Sequence, residues 1–326
     1  MSDRLADARI AILGFGNQGS AHAQNLRASG CRIVVGARPD GDGARRATAL
    51  GFETLPLADA LRAADVATIL LPDEVLPSLW PELGASARDD IALVFAHGFN
   101  LLYGDLELPA RGDVVLVSPA SPGAVLAGAR ERGENVSAYL AVHRDRSWRA
   151  DALARTYAER LGCTPLWPTT VREETEVDLF GEQAVLCGGM NAMVTAAFET
   201  LVAAGYAPEI AYLECVHQLR YLAELLHARG PEGFREAISG TARFGDLTRG
   251  HRIIGPETRA AMGAVLDEIR SGAFAREWQA EVAAGSPHVR EAMARVSRHP
   301  IEAARQRALG LVPRAPGESR KALTKK

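Results

Sequence analysis

The sequence predicts an α/β chain, with a helix-flanked parallel sheet in its first half and an all-helical second half. Three observations predict this. From about residue 8 to 168, short apolar runs alternate with Ala-rich helical stretches, which gives right-handed βαβ units. After Pro168 the strand signal vanishes. A glycine-rich turn, Gly14-Phe15-Gly16-Asn17-Gln18-Gly19, separates the first apolar run from the first helix. A length of 326 residues fits about two domains. We place them at 1–168 and 169–312, followed by a Pro-, Lys- and Arg-containing tail at 313–326 that reads as disordered.

In order, the candidate strands are Arg9–Leu13, Arg32–Val35, Val66–Leu71, Ile91–Phe95, Val114–Val117 and Tyr139–Val142, with Thr164–Trp167 closing the set. Helices are expected between them, in Ala-rich segments such as Ser20–Ser29, Ala44–Leu50 and Leu57–Ala64. The second half reads as helices over Arg172–Ala204, Pro208–Arg229, Thr258–Ser271 and Val289–Leu309. Gly205-Tyr206-Ala207-Pro208 marks a helix stop followed by a helix-starting proline.

The glycine loop sits between a strand and a helix, the context that gives a G-x-G-x-x-G pattern meaning. Gly14 permits the tight turn, Gly16 lets backbone approach a pyrophosphate, and Gly19 allows close helix–strand packing. The helix N-terminus adds N–H donors and a positive dipole end. The first domain is therefore expected to be a Rossmann-type dinucleotide domain. At the end of the second strand stands Arg38, which suits a 2′-phosphate and hence NADPH. Asp40 and Asp42 follow and would repel that phosphate, so NADPH and NADH both stay open.

A net charge of −3 and a pI near 6.3 give no basic excess for nucleic acid. No run of 18 or more apolar residues argues for a membrane span. The start Met1-Ser2-Asp3-Arg4-Leu5 lacks a signal-peptide layout. Cys31, Cys163, Cys187 and Cys215 have no paired metal-type spacing. Reduced thiols in a cytoplasmic protein are the economical reading.

The run Glu173-Glu174-Thr175-Glu176-Val177-Asp178-Leu179-Phe180-Gly181-Glu182-Gln183 crowds carboxylates together and then turns apolar. In a helix, Glu174, Asp178 and Glu182 share one face, where like charges repel. Leu179, Phe180, Val185 and Leu186 mark the same helix as buried. Buried carboxylates need a cation or a hydrogen-bond partner, and Mg²⁺ would supply one. A solvated acidic helix start is the alternative.

These motifs, with Leu71-Pro72-Asp73-Glu74, Phe95-Ala96-His97-Gly98-Phe99-Asn100, Leu186-Cys187-Gly188-Gly189, Ala204-Gly205-Tyr206-Ala207-Pro208-Glu209 and Ile238-Ser239-Gly240-Thr241-Ala242, resemble the short-form ketol-acid reductoisomerase family. The resemblance runs from about Ile10 to Ala308, and its long acidic motif is the most specific part. It implies conversion of an acetohydroxy acid to a 2,3-dihydroxy acid with Mg²⁺ and NAD(P)H, as in branched-chain amino acid biosynthesis: alkyl migration, then hydride reduction. It implies that Asp178 bridges two ions, Glu182 binds one, and Glu214 comes from a partner subunit. Ser239 would hold the substrate carboxylate, and His97 would sit beside the nicotinamide. Leu71, Pro72 and Asp73 would join the glycine loop in holding the cofactor. A knotted helical domain forming a homodimer or higher homo-oligomer is implied as well.

The chain departs from the family pattern. Pro119-Ala120-Ser121-Pro122-Gly123 replaces Pro-Lys-Gly-Pro-Gly, and Glu214-Cys215-Val216-His217-Gln218 replaces Glu-x-x-x-Glu. A cation and a carboxylate are lost from the region that manages rearrangement. Gly240 stands where the family has Asn or Asp, and Arg243 where it has Glu or Lys. His217 could take over a lost contact or be a packed helix histidine, Cys215 is a packed thiol, and Ser239 could be only a helix cap. Alkyl migration needs metal polarisation and proton management. Hydride transfer needs chiefly a placed nicotinamide. We therefore expect a reductase of a 2-keto acid or related C=O or C=N substrate, with migration impaired or lost. The alternatives are an authentic ketol-acid reductoisomerase and a non-catalytic NAD(P)-binding dimer.

Overall fold

The structure, a computed structural model that describes residues 5–312, has two compact units that divide after Asp178. The expected C-terminal tail lies outside the described residues.

The first unit is built on an eight-stranded sheet in the order β3-β2-β1-β4-β5-β6-β7-β8. Its strands are β1 Arg9–Leu13, β2 Arg32–Gly36, β3 Glu53–Leu55, β4 Val66–Ile69, β5 Ala92–Phe95, β6 Val114–Pro119, β7 Val136–Arg144 and β8 Cys163–Pro168. Its helices are α1 Asn17–Ala28, α2 Asp42–Ala49, α3 Leu57–Arg62, α4 Leu76–Ala85, α5 Phe99–Leu102, α6 Gly123–Arg132, α7 Ala150–Leu161 and the start of α8 Val171–Gly181. Alternate strand residues feed opposite layers, as period-two geometry requires. Ile10 and Ile12 pack with Leu26, Val94 and Tyr157, whereas Ala11 and Leu13 pack with Leu61, Trp80 and Phe95.

The sheet is parallel except where β7 runs antiparallel to β6, which corrects the expectation of a wholly parallel sheet. The segment carrying α6 leaves at Pro119 and returns opposite it, with Pro119 paired to Ala138. It never crosses to the far end of the sheet, so β7 must run back. The sequence reading also missed β3, whose Glu53 and Thr54 interrupt any apolar run. It missed α4 as well, which tolerates Pro77 in its first turn, where the N–H has no helical partner.

The second unit contains α9 Gly188–Ala203, α10 Pro208–Tyr212, α11 Leu219–Ala237, α12 Gly240–Ile253, α13 Pro256–Arg270, α14 Ala273–Ala283, α15 Pro287–Ser297 and α16 Pro300–Ala308. Pro300 splits the single helix expected over Val289–Leu309. Two π turns interrupt the helices expected over Arg172–Ala204 and Pro208–Arg229, at Glu182–Leu186 and Leu213–His217. They are closed by bonds from Cys187 N to the Glu182 carbonyl (2.9 Å) and from Gln218 N to the Leu213 carbonyl (3.3 Å). The first explains Gly188-Gly189: a Cβ at these positions would lie 2.3 Å from the Gln183 carbonyl oxygen and 2.0 Å from that of Ala184.

This unit has a small core, in which Phe198, Ala211, Tyr212 and Ala304 join α9, α10 and α16. Of the apolar residues expected to bury the acidic helix, Leu179 is buried, but Val185 and Leu186 are 53 % and 63 % exposed. That expectation is corrected: among the described residues of one chain, these two side chains stay more than half exposed. The run Val171–Ala203 is also long and apolar enough to cross a membrane by length and composition. A search for unbroken apolar runs overlooks it, because Gly, Asn and Thr are interspersed.

Candidate active site

The first unit places each predicted cofactor residue after the C-terminal end of a strand. Gly14–Gly19 follow β1, Arg38 follows β2, Leu71–Asp73 follow β4 and His97 follows β5. Strand order reverses between β1 and β4, where ligands bind in open α/β sheets.

Gly14 has φ of +98° and donates its N–H to the Gly36 carbonyl at 2.9 Å. A Cβ there would lie 2.5 Å from the Leu70 oxygen, and one at Gly19 only 2.1 Å from the Gly14 oxygen. Gly16 differs, since a Cβ on it would meet nothing within 4 Å. It caps α1 without a side-chain bond, leaving first-turn N–H groups for an anion. The loop therefore fits a pyrophosphate. Phe15 is buried edge-on against Phe52 and serves packing, while its carbonyl accepts from Arg46 at 2.5 Å. Asn17 is exposed at the start of α1. Gln18 donates from Nε2 to the Ser121 carbonyl at 3.0 Å, tying the glycine loop to the β6–α6 loop.

Arg38 is exposed in a turn closed by Gly41 N on its carbonyl at 3.1 Å. Arg45, which the sequence reading passed over, pairs with Asp42 and also donates to the Asp40 carbonyl. Leu71 packs on the Trp80 layer, and Pro72 accepts from Val75 N at 3.0 Å. Asn100 Nδ2 donates to Asp73 at both its carboxylate (2.9 Å) and its carbonyl (3.2 Å). Burial pushes the Asp73 carboxyl up, opposed by His97 and the Asn100 bond.

His97 meets the acidic helix. Its Nδ1 lies 3.3 Å from both Glu174 Oε1 and Asp178 Oδ2. Glu174 is buried, and its Oε2 accepts the Gly98 N–H at 3.1 Å. Only glycine lets the loop sit this close, because a Cβ at 98 would lie 2.1 Å from Thr175 Oγ1. Burial alone would lower the His97 pKa, but the bond to Glu174 and the charges of Glu174, Asp178 and Asp73 raise it to about 9. Without a metal, these carboxylates favour the imidazolium form of His97. A solvated acidic helix start therefore does not describe Glu174: its partners are His97, the Gly98 N–H and the Thr175 hydroxyl. The sequence signal for this clasp was the four-residue step from Glu174 to Asp178.

In the second unit Glu182 and Glu214 both lie in π turns, which concentrate at functional sites. Gln218 Nε2 donates to Glu214 Oε2 at 2.7 Å. Ser239 caps α12, with its Oγ accepting from Ala242 N at 3.2 Å. His217 packs edge-on against Tyr221. Burial and the Glu214 charge raise the Cys215 thiol, which keeps it protonated. Ala120 is exposed, and Arg243 lies near the start of α12. Among the described residues, no three His, Cys, Asp or Glu side chains of one chain gather as a metal site. Asp178, Glu182 and Glu214 nonetheless offer the oxygen donors that suit a hard divalent cation.

Comparison with known proteins agrees with this layout. Residues 4–166 match the acetohydroxy acid isomeroreductase NADPH-binding domain, and residues 171–313 match the ketol-acid reductoisomerase C-terminal domain. An NADH-preferring ketol-acid reductoisomerase from an uncultured archean is 35% identical, with a TM-score of 0.91 over 95% of this chain and 96% of that one. A semialdehyde dehydrogenase NAD-binding protein from Cupriavidus necator is 17% identical, with a TM-score of 0.61 over 81% of this chain and 99% of that one. A 1-pyrroline-5-carboxylate reductase from Streptococcus pyogenes is 16% identical, with a TM-score of 0.56 over 81% and 98%. These last two share the fold alone. Both halves match one family in order, and the glycine loop fits its dinucleotide, so the chain is an NAD(P)H-binding oxidoreductase that belongs to the ketol-acid reductoisomerase family.

Proposed function

We propose that this protein is a Mg²⁺-assisted reductase of a 2-keto acid or a closely related carbonyl or imine, with alkyl migration impaired or lost. The observation that carries the reading is the neutral amide of Gln218 on the Glu214 carboxylate, 2.7 Å away, where the family has a second carboxylate. The exposed methyl of Ala120 supports it, since no ammonium is there to manage a proton during rearrangement. When bound, the dinucleotide supplies a hydride to the carbonyl carbon and the metal polarises the carbonyl oxygen. The chain's own residues bind and orient. Gly16 and the start of α1 hold the pyrophosphate, Asp178, Glu182 and Glu214 would hold Mg²⁺, and Ser239 would hold the substrate carboxylate. His97, in contact with Asp178, is placed to keep that carboxylate oriented.

Either NADPH or NADH would serve. Arg38, with Asp42 neutralised by Arg45, favours the 2′-phosphate, whereas Asp40 remains nearby and disfavours it. A homodimer in the cytoplasm completes the reading, supported by the exposed apolar residues Leu186, Ile210, Phe244 and Val296 of the helical unit.

NAD(P)H-oxidation assays with 2-acetolactate and with 3-hydroxy-3-methyl-2-ketobutyrate, run side by side with each dinucleotide, test the proposal. The ready-made keto acid should turn over about 10²–10⁴ times faster, the usual worth of one acid–base group. Comparable rates would instead establish the second reading, an authentic ketol-acid reductoisomerase, which the retained Asp178, Glu182, Glu214 and Ser239 favour.

A further inference from the structure

The geometry points to Gln218 as a positioning residue that presents Glu214 to a divalent cation through a single oxygen. This deepens the proposed function and rests on Glu214 being a metal ligand. Gln218 defines the place of Glu214 twice. Its backbone N–H closes the π turn that contains Glu214, bonding the Leu213 carbonyl at 3.3 Å. Its side-chain Nε2 donates to Glu214 Oε2 at 2.7 Å. Both side chains are exposed, so water competes for this contact and the carboxylate would otherwise sample several rotamers.

One Glu214 oxygen is therefore occupied by an amide donor, while Oε1 carries no partner among the described residues. A carboxylate that ligates through one oxygen needs its other oxygen hydrogen-bonded to stay in place, and such outer contacts orient the ligand. An amide does this without adding charge. A glutamate at 218 would repel Glu214 and both would turn to the metal, whereas Gln218 divides the work: one residue ligates and its neighbour holds. His217 and Arg220, beside Gln218 in the chain, face each other at 3.5 Å.

Mn²⁺ binding to the full-length protein, measured by calorimetry without substrate, tests this. Wild type is compared with Glu214→Ala, Gln218→Met and Gln218→Glu. Gln218→Met keeps length but has no donor, and should weaken Mn²⁺ by about 10–100-fold, the usual cost of losing an orienting partner. NADPH and NADH affinities and the thermal midpoint should stay at wild-type values. Gln218→Glu should tighten Mn²⁺ by adding a carboxylate. If Gln218→Met binds Mn²⁺ within twofold of wild type while Glu214→Ala does not, the positioning role fails alone. If Glu214→Ala leaves Mn²⁺ affinity unchanged, the assignment of Glu214 as a ligand fails and takes this inference with it.

Discussion

One nitrogen, His97 Nδ1, faces two carboxylates at equal distance, the buried Glu174 and the half-exposed Asp178. Glu174 has a second fixed partner, the Gly98 N–H, so it acts as the anchor and Asp178 as the adjustable member. The raised pKa means this ion pair stabilises the fold fully below His97's ordinary 6.5, and the contribution is lost as pH rises through about 9. Replacing Glu174 by Gln keeps the shape and removes the first raising cause. In metal-free protein the His97 midpoint, followed by NMR, should fall from about 9 towards 6.5. A midpoint that stays put would mean Asp178 and Asp73 hold the charge without Glu174. The spacing of the acids was legible in the sequence. Their division into an anchor and an adjustable member was not, because it depends on a loop 76 residues away in the chain.

Helix α8 and the helix after it read from sequence as one continuous element, and the π turn between them left no mark on the hydrophobic pattern. Its trace was the pair Gly188-Gly189, which periodicity analysis treats only as weak helix formers. The widened turn brings carbonyl oxygens from five residues back against both α-carbons, so hydrogen is the only side chain that fits. Gly189→Ala should therefore remove the π turn or strain it, at about 1–3 kcal/mol, the range for overpacking. Chemical denaturation gives the loss, and cofactor affinity should be unaffected because the glycine loop lies in the other unit. A variant as stable as wild type would mean that the chain does not need the widened turn. Ser239, by contrast, could be placed from sequence as a cap or a substrate contact. The cap is observed, and its hydroxyl keeps a proton to donate.

At the scale of the molecule, the α/β unit was largely legible, since strand–helix alternation and the glycine loop mark a helix-flanked sheet with a dinucleotide crevice. The antiparallel β7 was not, because a short return looks like a crossover when only element lengths are read. The core of this unit hides one titratable group. His22 is fully buried, with Nδ1 3.0 Å from Tyr157 Oη, which in turn lies 2.8 Å from Thr68 Oγ1. Its Nε2 has no partner, and burial lowers its pKa to about 3. The unfolded chain takes up a proton below 6.5 that the folded state refuses, so stability falls as pH drops from 6.5 towards 3. The slope approaches about 1.4 kcal/mol per pH unit. Urea melts of wild type and His22→Leu should diverge by about 1 kcal/mol per pH unit on average between pH 7 and 5, and parallel profiles would refute the assignment. The uncovered apolar faces of the second unit, Leu186 and Phe244 among them, have a consequence in time rather than in space. The first unit leaves the ribosome with its core complete and can fold at once. The second emerges after it, still unsheltered, and in the proposed dimer finds cover only when another copy diffuses to it. Between release and that encounter the chain is most open to aggregation, and dilution lengthens the interval.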